Sequence, residues 1–87
     1  MLAVEIYFYG VAEPTTLALP GADESAADSY LQHVRMDVIE AQRHSRQHLT
    51  IRPFDRTQDA LRVAPLEIQR VVLADIPSVE DVADLSA

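Results

Sequence analysis

Residues 21–48 read GADESAADSYLQHVRMDVIEAQRHSRQH, and this stretch decides how the rest of the chain can be arranged. Apolar and small side chains recur in it at every third or fourth position, which is the spacing of one face of an α-helix. The residues on this stripe are Ala27, Tyr30, Leu31, Val34, Val38 and Ala41. No glycine or proline interrupts residues 22–52. We therefore predict one long amphipathic helix over residues 23–48.

The polar residues at both ends of this stretch also favour a helix. Ser25 is a suitable N-terminal cap, and Asp28 follows it three residues later, as the acid of a capping box does. Acids fill the first turn and bases fill the last turn, which matches the helix dipole. These residues are Asp23, Glu24 and Asp28 at the start, and Arg43, His44, Arg46 and His48 at the end.

Two bulky apolar residues of the predicted helix lie off the stripe. At about 100° per residue, Met36 is nearly opposite the stripe and Ile39 is about a third of a turn away from it. Each is either an isolated exposed side chain, which is common on proteins, or part of a second face that is buried against a partner. An interface of this kind would use Gln32, Met36, Ile39 and Arg43. Because a stable interface needs about 1,000 Å² in total, a sheet edge or the C-terminal tail must also contribute.

Five stretches have the alternation and composition of β-strands. The clearest is LAVEIYFYG at residues 2–10, whose even-numbered side chains we expect to face the helix. A bulge is expected near Ile68, because the apolar residues that follow it do not keep a strict period of two. The other four predicted strands are residues 15–19, 48–54, 60–64 and 68–74.

The resulting order β-β-α-β-β-β predicts an α+β, two-layer domain over residues 1–74. It has an antiparallel sheet of about five strands, with the long helix packed on one face. Residues 75–87 form an acidic C-terminal tail, in which we expect at most a short docked helix capped by Ser78. The run RVAPLEIQRVVL at residues 62–73 resembles a short hairpin pattern of small bacterial and phage proteins, which indicates no activity.

The composition predicts a soluble, cytoplasmic protein of one domain. Apolar residues make up 48% of the 87 residues, which is enough for a core. The chain has no cysteine, so it has no disulfide framework and no thiolate site. No apolar run approaches the ~20 residues of a membrane span, and the N-terminus lacks the basic region of a signal peptide.

No motif indicates an enzyme or a cofactor. The two glycines, Gly10 and Gly21, each lie in a predicted turn, so there is no phosphate-binding loop and no dinucleotide fingerprint. No serine has the context of a nucleophile elbow. Without cysteine or lysine, an active site would depend on carboxylates, histidines and tyrosines, and no convergent set of these can be named. We therefore expect no catalytic residues and no cofactor.

The histidines do not form a convincing metal site. His44 and His48 have the spacing of metal ligands on a helix, but Arg43 and Arg46 stand beside them and would repel a cation. A basic last turn of the helix explains these four residues better. His33 pairs with Asp37 at a spacing of four, which favours a surface hydrogen bond rather than a catalytic dyad.

The net charge of −7 is unevenly distributed. Residues 1–32 carry five acids and no arginine, residues 33–74 carry seven arginines and five acids, and residues 75–87 carry four acids. This argues against nonspecific nucleic-acid binding by the whole chain. The charge distribution does not argue against a local basic patch in the C-terminal half, although Asp55, Asp59 and Glu67 are close to it in sequence. Its candidates are Arg46, Arg52, Arg56, Arg62 and Arg70.

The sequence therefore predicts a small non-enzymatic protein-interaction domain that self-associates as a homodimer. The predicted interface is Gln32, Met36, Ile39 and Arg43, with the exposed sheet face or edge. The alternative is a regulatory nucleic-acid-binding protein that uses the five arginines just named. A third hypothesis, with weaker support, is a domain that presents its acidic ends to a basic partner.

Overall fold

A computed structural model of the chain describes residues 1–76. The predicted α+β class and the order β-β-α-β-β-β are confirmed. The predicted helix after Ser78 lies outside the described residues. The elements are β1 (Leu2–Phe8), β2 (Thr15–Ala18), α1 (Glu24–Arg43), β3 (Leu49–Ile51), β4 (Leu61–Val63), a short 3-10 helix (Pro65–Glu67) and β5 (Ile68–Asp75).

The five strands are antiparallel and pair in two hydrogen-bonded sets. One set is a three-stranded sheet of order β2-β1-β5, and the other is the pair β3-β4. In the central strand β1, Val4 lies opposite Leu17 of β2 and Leu73 of β5. α1 contacts β1 and β5 of the larger sheet and also β3. The helix is therefore the element that joins the two sets of strands into one layer.

The core lies between α1 and the strands. The predicted stripe is buried along the helix at Ala27, Leu31, Val34, Val38 and Ala41. From β1, the alternating residues Val4 and Ile6 meet this stripe and are fully buried, as their period of two predicts. Burying each large apolar side chain contributes about 1.5–3 kcal/mol, so the stripe is the main source of stability for the two layers.

The N-terminus of α1 is capped by Asp23, so the prediction that Ser25 caps it was wrong. A carboxylate oxygen of Asp23 accepts a hydrogen bond from the backbone N–H of Ala26 at 2.7 Å. Asp23 has the extended backbone of a cap, with φ −80° and ψ 176°. Gly21, which adopts a positive φ of 72°, turns the chain just before it. Because aspartate and serine cap equally well, the sequence alone does not choose between the two positions.

The C-terminus of α1 comes earlier than the predicted residue 48. Ser45 has a left-handed backbone with φ 50°, and its N–H donates to the carbonyl of Gln42 at 3.1 Å. The N–H of Arg46 donates to the carbonyl of Ala41 at 2.9 Å. These two bonds form a Schellman motif, which ends a helix and usually has glycine at the left-handed position. The absence of glycine there explains why the end was missed.

The bulge expected near Ile68 is confirmed. Tyr7 of β1 lies opposite Arg70, but the next residue, Phe8, lies opposite Ile68. Gln69 is therefore an extra residue on β5. Beyond the bulge, β5 pairs with β1 without interruption as far as Asp75. This long pairing gives β5 a continuous outer edge, which borders α1.

Candidate interaction surface

The outer helix face consists of the four residues that the sequence predicted for an interface: Gln32, Met36, Ile39 and Arg43. All four side chains are exposed. Met36 is 69% exposed and Ile39 is 53% exposed, although both are large and apolar. The spacings of four, three and four residues place the four side chains on one side of α1. The structure therefore brings these residues together on one continuous strip of surface.

Beside the outer helix face, two polar side chains of α1 hydrogen-bond to β5. The Nε of Arg35 donates to the carbonyl of Val71 at 2.9 Å. The side-chain amide of Gln42 donates to the carbonyl of Ile68 at 3.3 Å and to the carbonyl of Pro65 at 2.9 Å. Neither contact can be predicted from the sequence, because each joins residues far apart in the chain and no local pattern marks it.

Ile39 lies between these two side chains on the helix surface. It follows Arg35 by four residues and precedes Gln42 by three, and both spacings make neighbours on an α-helix. Ile39 also lines a groove of about 320 Å³ between α1 and β5. We call this the β5 groove; its other apolar residues are Val38, Ile68, Val71 and Val72. The outer helix face is thus continuous with an apolar groove along β5.

The other flank of the outer helix face is charged. His33, Asp37 and Glu40 line a shallow depression of about 610 Å³ together with Met36 and Ile39. The Nδ1 of the histidine lies 2.9 Å from the backbone carbonyl one turn earlier, and not in a bond with Asp37 as the sequence analysis expected. This flank gives the apolar strip a polar rim, which is the usual border of a protein interface.

The five arginines of the nucleic-acid alternative are all exposed, and they are divided between the two sets of strands. Arg62 lies on β4 opposite Thr50, Arg52 follows β3, and Arg56 is in the loop between those strands. Arg46 follows α1. In the described part of the chain no arginine forms an ion pair with a carboxylate. The ion pair found in residues 1–76 joins the N-terminal ammonium to Asp75 at 3.1 Å.

Arg70 is separate from the other four, on the sheet face that points away from α1. Its guanidinium carbon lies 4.1 Å from the ring centroid of Tyr7, its cross-strand neighbour. The hydroxyl of that tyrosine donates to a carboxylate oxygen of Glu5 at 3.3 Å. This cation–π contact is typical of neighbours on a sheet face, and it holds the Arg70 side chain against Tyr7.

Among residues 1–76, Tyr30 and Asp55 have displaced pKa values, and both have structural roles. Burial raises the pKa of Tyr30, whose hydroxyl donates to the backbone carbonyl of Arg52 and whose ring meets Phe54 edge-on at 5.7 Å. The backbone N–H of Thr57, at 3.0 Å, and its hydroxyl lower the pKa of Asp55. These contacts hold the end of β3 and the following loop in place, and they do not form an acid–base pair.

No group of three or more histidines, aspartates and glutamates in residues 1–76 is arranged to hold a metal ion. His44 is the C-terminal cap residue of α1, and His48 lies beyond the helix. The two candidate ligands therefore do not share one helical face. None of the helices in the described range has the length and apolar character that crossing a membrane requires.

Comparisons with protein-family models, with curated proteins and with solved structures each found no match. Function is therefore inferred from the surfaces of the chain itself. Among the described residues, the outer helix face combines two exposed bulky apolar side chains with an adjoining apolar groove, and packing within one chain does not explain this combination.

Proposed function

We propose that this chain is a small non-enzymatic interaction domain that self-associates as a homodimer through the outer helix face. The observation that carries the proposal is the exposure of Met36 and Ile39 on the side of α1 that does not pack on the chain's own strands. Isolated exposed apolar side chains are common, but here two bulky ones are neighbours and adjoin an apolar groove.

The charges of α1 favour a second copy as the partner. The first turn of α1 is acidic at Asp23 and Glu24, and its end is basic at Arg43 and Arg46. In a dimer with a two-fold axis across α1, the two helices run antiparallel, so the acidic end of one copy lies beside the basic end of the other. The two helix dipoles also oppose each other in this arrangement, which is favourable.

An antiparallel pair also matches the apolar residues to one another. If the two-fold axis passes between Met36 and Ile39, each Met36 faces the Ile39 of the second copy. Gln32 then faces Arg43, so that a polar pair borders the apolar centre on both sides. A central apolar cluster with a polar rim is the general organisation of protein interfaces.

Light scattering on three proteins tests this proposal. The natural chain is compared with Met36→Glu/Ile39→Glu and with the control Tyr9→Glu/Val11→Glu, which removes two exposed apolar residues from the β1–β2 turn and adds the same charge. We expect dimers for the natural chain and the control, and a folded monomer for the outer-face variant. Equal masses for the natural chain and the outer-face variant would rule out this surface.

Regulatory nucleic-acid binding through Arg46, Arg52, Arg56, Arg62 and Arg70 is the second proposal. It has less support, because these arginines do not lie on one strand set and the Arg70 side chain packs on Tyr7. Fluorescence anisotropy with a labelled duplex and a labelled single strand, at physiological salt, measures this activity directly. Saturable binding that weakens steeply with added salt would favour this proposal over self-association as the main function.

A further inference from the structure

The backbone groups of β5 alternate between its two edges. The N–H of Ile76 donates to the carbonyl of Met1 at 2.8 Å, and the N-terminal ammonium donates to the carbonyl of Ile76 at 3.0 Å. Every second residue of an antiparallel strand bonds to the same neighbour, so the even-numbered residues of β5 above the bulge bond to β1. Val71 and Leu73 therefore turn their backbone N–H and C=O groups away from β1.

This outer edge of β5 is the end of its sheet. In residues 1–76 the strand order is β2-β1-β5, and no described strand pairs with β5 on its other side. An edge of this length, whose backbone N–H and C=O groups pair with no described strand, is a template for another strand. Val71, Val72 and Leu73 also have the β-branched and apolar character that favours strand pairing.

Ile39, at one border of the outer helix face, lies toward this edge. Going around α1 from β5, Arg35 and Gln42 come first, Ile39 is next and Met36 follows. If two copies joined edge to edge, their helices would lie side by side on one face of the joined sheet. The helix surface that then meets the second copy is the flank that carries Arg35, Gln42 and Ile39. Met36, nearly opposite the buried stripe, lies at the outer border of this flank.

A stable dimer must also bury more surface than the helix alone supplies. A specific interface buries about 800 Å² on each partner, and two apolar side chains supply far less than that. Strand pairing along β5 adds backbone hydrogen bonds and covers the β5 groove, whose volume is about 320 Å³. The helix face and the strand edge together therefore offer more surface to a second copy than the helix alone.

We infer that the dimer forms by antiparallel pairing of β5 with β5 of a second copy. The result is one six-stranded sheet of order β2-β1-β5-β5-β1-β2, with both α1 helices antiparallel on the same face. This inference deepens the proposed self-association and rests on it. It names the partner as a second copy of this chain and names the strand that this copy presents.

The bonds from Arg35 and Gln42 are compatible with this pairing. They reach the carbonyls of Val71 and Ile68 from the helix side. A carbonyl oxygen has two lone pairs, so each can accept a second hydrogen bond from a strand that lies in the plane of the sheet. Arg35 and Gln42 would then hydrogen-bond the helix layer to the joined sheet.

Amide hydrogen exchange measured by NMR across a dilution series tests the pairing, with mass measured on the same samples. The amides of Val71 and Leu73 are the probes, and those of Val72 and Ala74, which bond to β1, are internal controls. We expect exchange of the two probe amides to slow at least about tenfold between monomer and dimer, while the controls stay protected throughout. The Met36→Glu/Ile39→Glu variant is a second monomer reference.

The outcomes separate the two proposals. A dimer in which Val71 and Leu73 exchange as fast as in the monomer overturns the strand pairing and leaves the outer helix face as the interface. Protection of these two amides that does not depend on dilution, and that persists in a monomeric variant, also overturns it. A chain that is monomeric at every concentration overturns the proposed function and the strand pairing together.

Discussion

The two faces of α1 contain similar side chains in opposite surroundings. On the inner face, Val34 and Val38 are 3% and 5% exposed, in contact with the strands. On the outer face, Met36 and Ile39 are as large and as apolar, but they are 69% and 53% exposed. The folding of one chain explains the first pair and does not explain the second. Similar apolar side chains on one helix therefore differ sharply in burial.

This contrast is the reason for proposing an interface on the outer face of α1. Charged or polar residues at positions 36 and 39 would allow α1 to fold equally well, because helix propensity requires nothing apolar there. Ile39 also adjoins the outer edge of β5, which pairs with no other strand among the described residues. Coincidence of the two on one side of the molecule is stronger evidence than either feature alone.

The largest effect is expected from Val34→Asp on the inner face. An unpaired carboxylate at this buried position costs at least about 3–5 kcal/mol, which is comparable to the whole stability of a small domain. We expect the variant to lose its helical circular dichroism and its cooperative melting transition. Val11→Asp, at an exposed valine in the β1–β2 turn, is the control and should melt within about 0.5 kcal/mol of the natural chain. A Val34→Asp protein that melts normally would contradict the packing of the inner face.

Ile39→Ala tests the outer face with a milder change. Because both copies lose contacts, we expect the dissociation constant of the dimer to rise about tenfold or more, measured by sedimentation velocity. Val11→Ala, at an equally exposed position in the β1–β2 turn, should leave the dissociation constant unchanged. If Ile39→Ala and Val11→Ala weaken the dimer equally, the outer face of α1 is not the association surface.

Tyr30→Phe tests the flank where the inner face meets β3. It removes the hydrogen bond to the Arg52 carbonyl and should lower the free energy of unfolding by about 1 kcal/mol, without changing the mass of the assembly. Burial raises the pKa of Tyr30 above its ordinary value of 10.0, so its contribution is full below pH 10 and falls as the pH rises through the folded-state value. Urea titrations from pH 8 to pH 11 should show this decline in the natural chain and a smaller one in the variant.

Ser45→Gly is expected to have the smallest effect and to stabilise the chain. Glycine adopts the left-handed backbone of this position, φ 50°, at little cost, so we expect a gain of about 0.5–1 kcal/mol in thermal unfolding. Ser29→Gly, inside the helix, should instead lose about 0.5 kcal/mol. A loss of stability in Ser45→Gly would mean that residue 45 does not have the left-handed backbone that ends α1. Neither change touches Met36 or Ile39, so both should keep the mass of the natural chain.

Local periodicity was sufficient for much of the fold. The stripe from Ala27 to Ala41 and the alternation of β1 follow from the periods of 3.6 and 2 residues, which need no information from the rest of the chain. The bulge near Ile68 was also visible as a break in alternation. The candidate interface was found by the same reasoning, because a helical projection places Met36 away from the stripe.

The features that the sequence did not reveal depend on choices between local alternatives or on distant contacts. Asp23 and Ser25 are both good caps, and only the path of the preceding turn selects the first. Ser45 ends α1 without the glycine that usually marks this position. The division of five strands into two hydrogen-bonded sets, and the bond from Arg35 to β5, join residues far apart in the chain. No short window of sequence encodes such pairings.

Sedimentation equilibrium of the natural chain over a range of concentrations tests the central claim most directly. If the outer face of α1 is an association surface, the mass should rise from the 9.7 kDa of one chain to twice that value as the concentration increases. A mass that stays at 9.7 kDa up to about 1 mM would contradict the claim, because a dimer weaker than this is not a specific assembly.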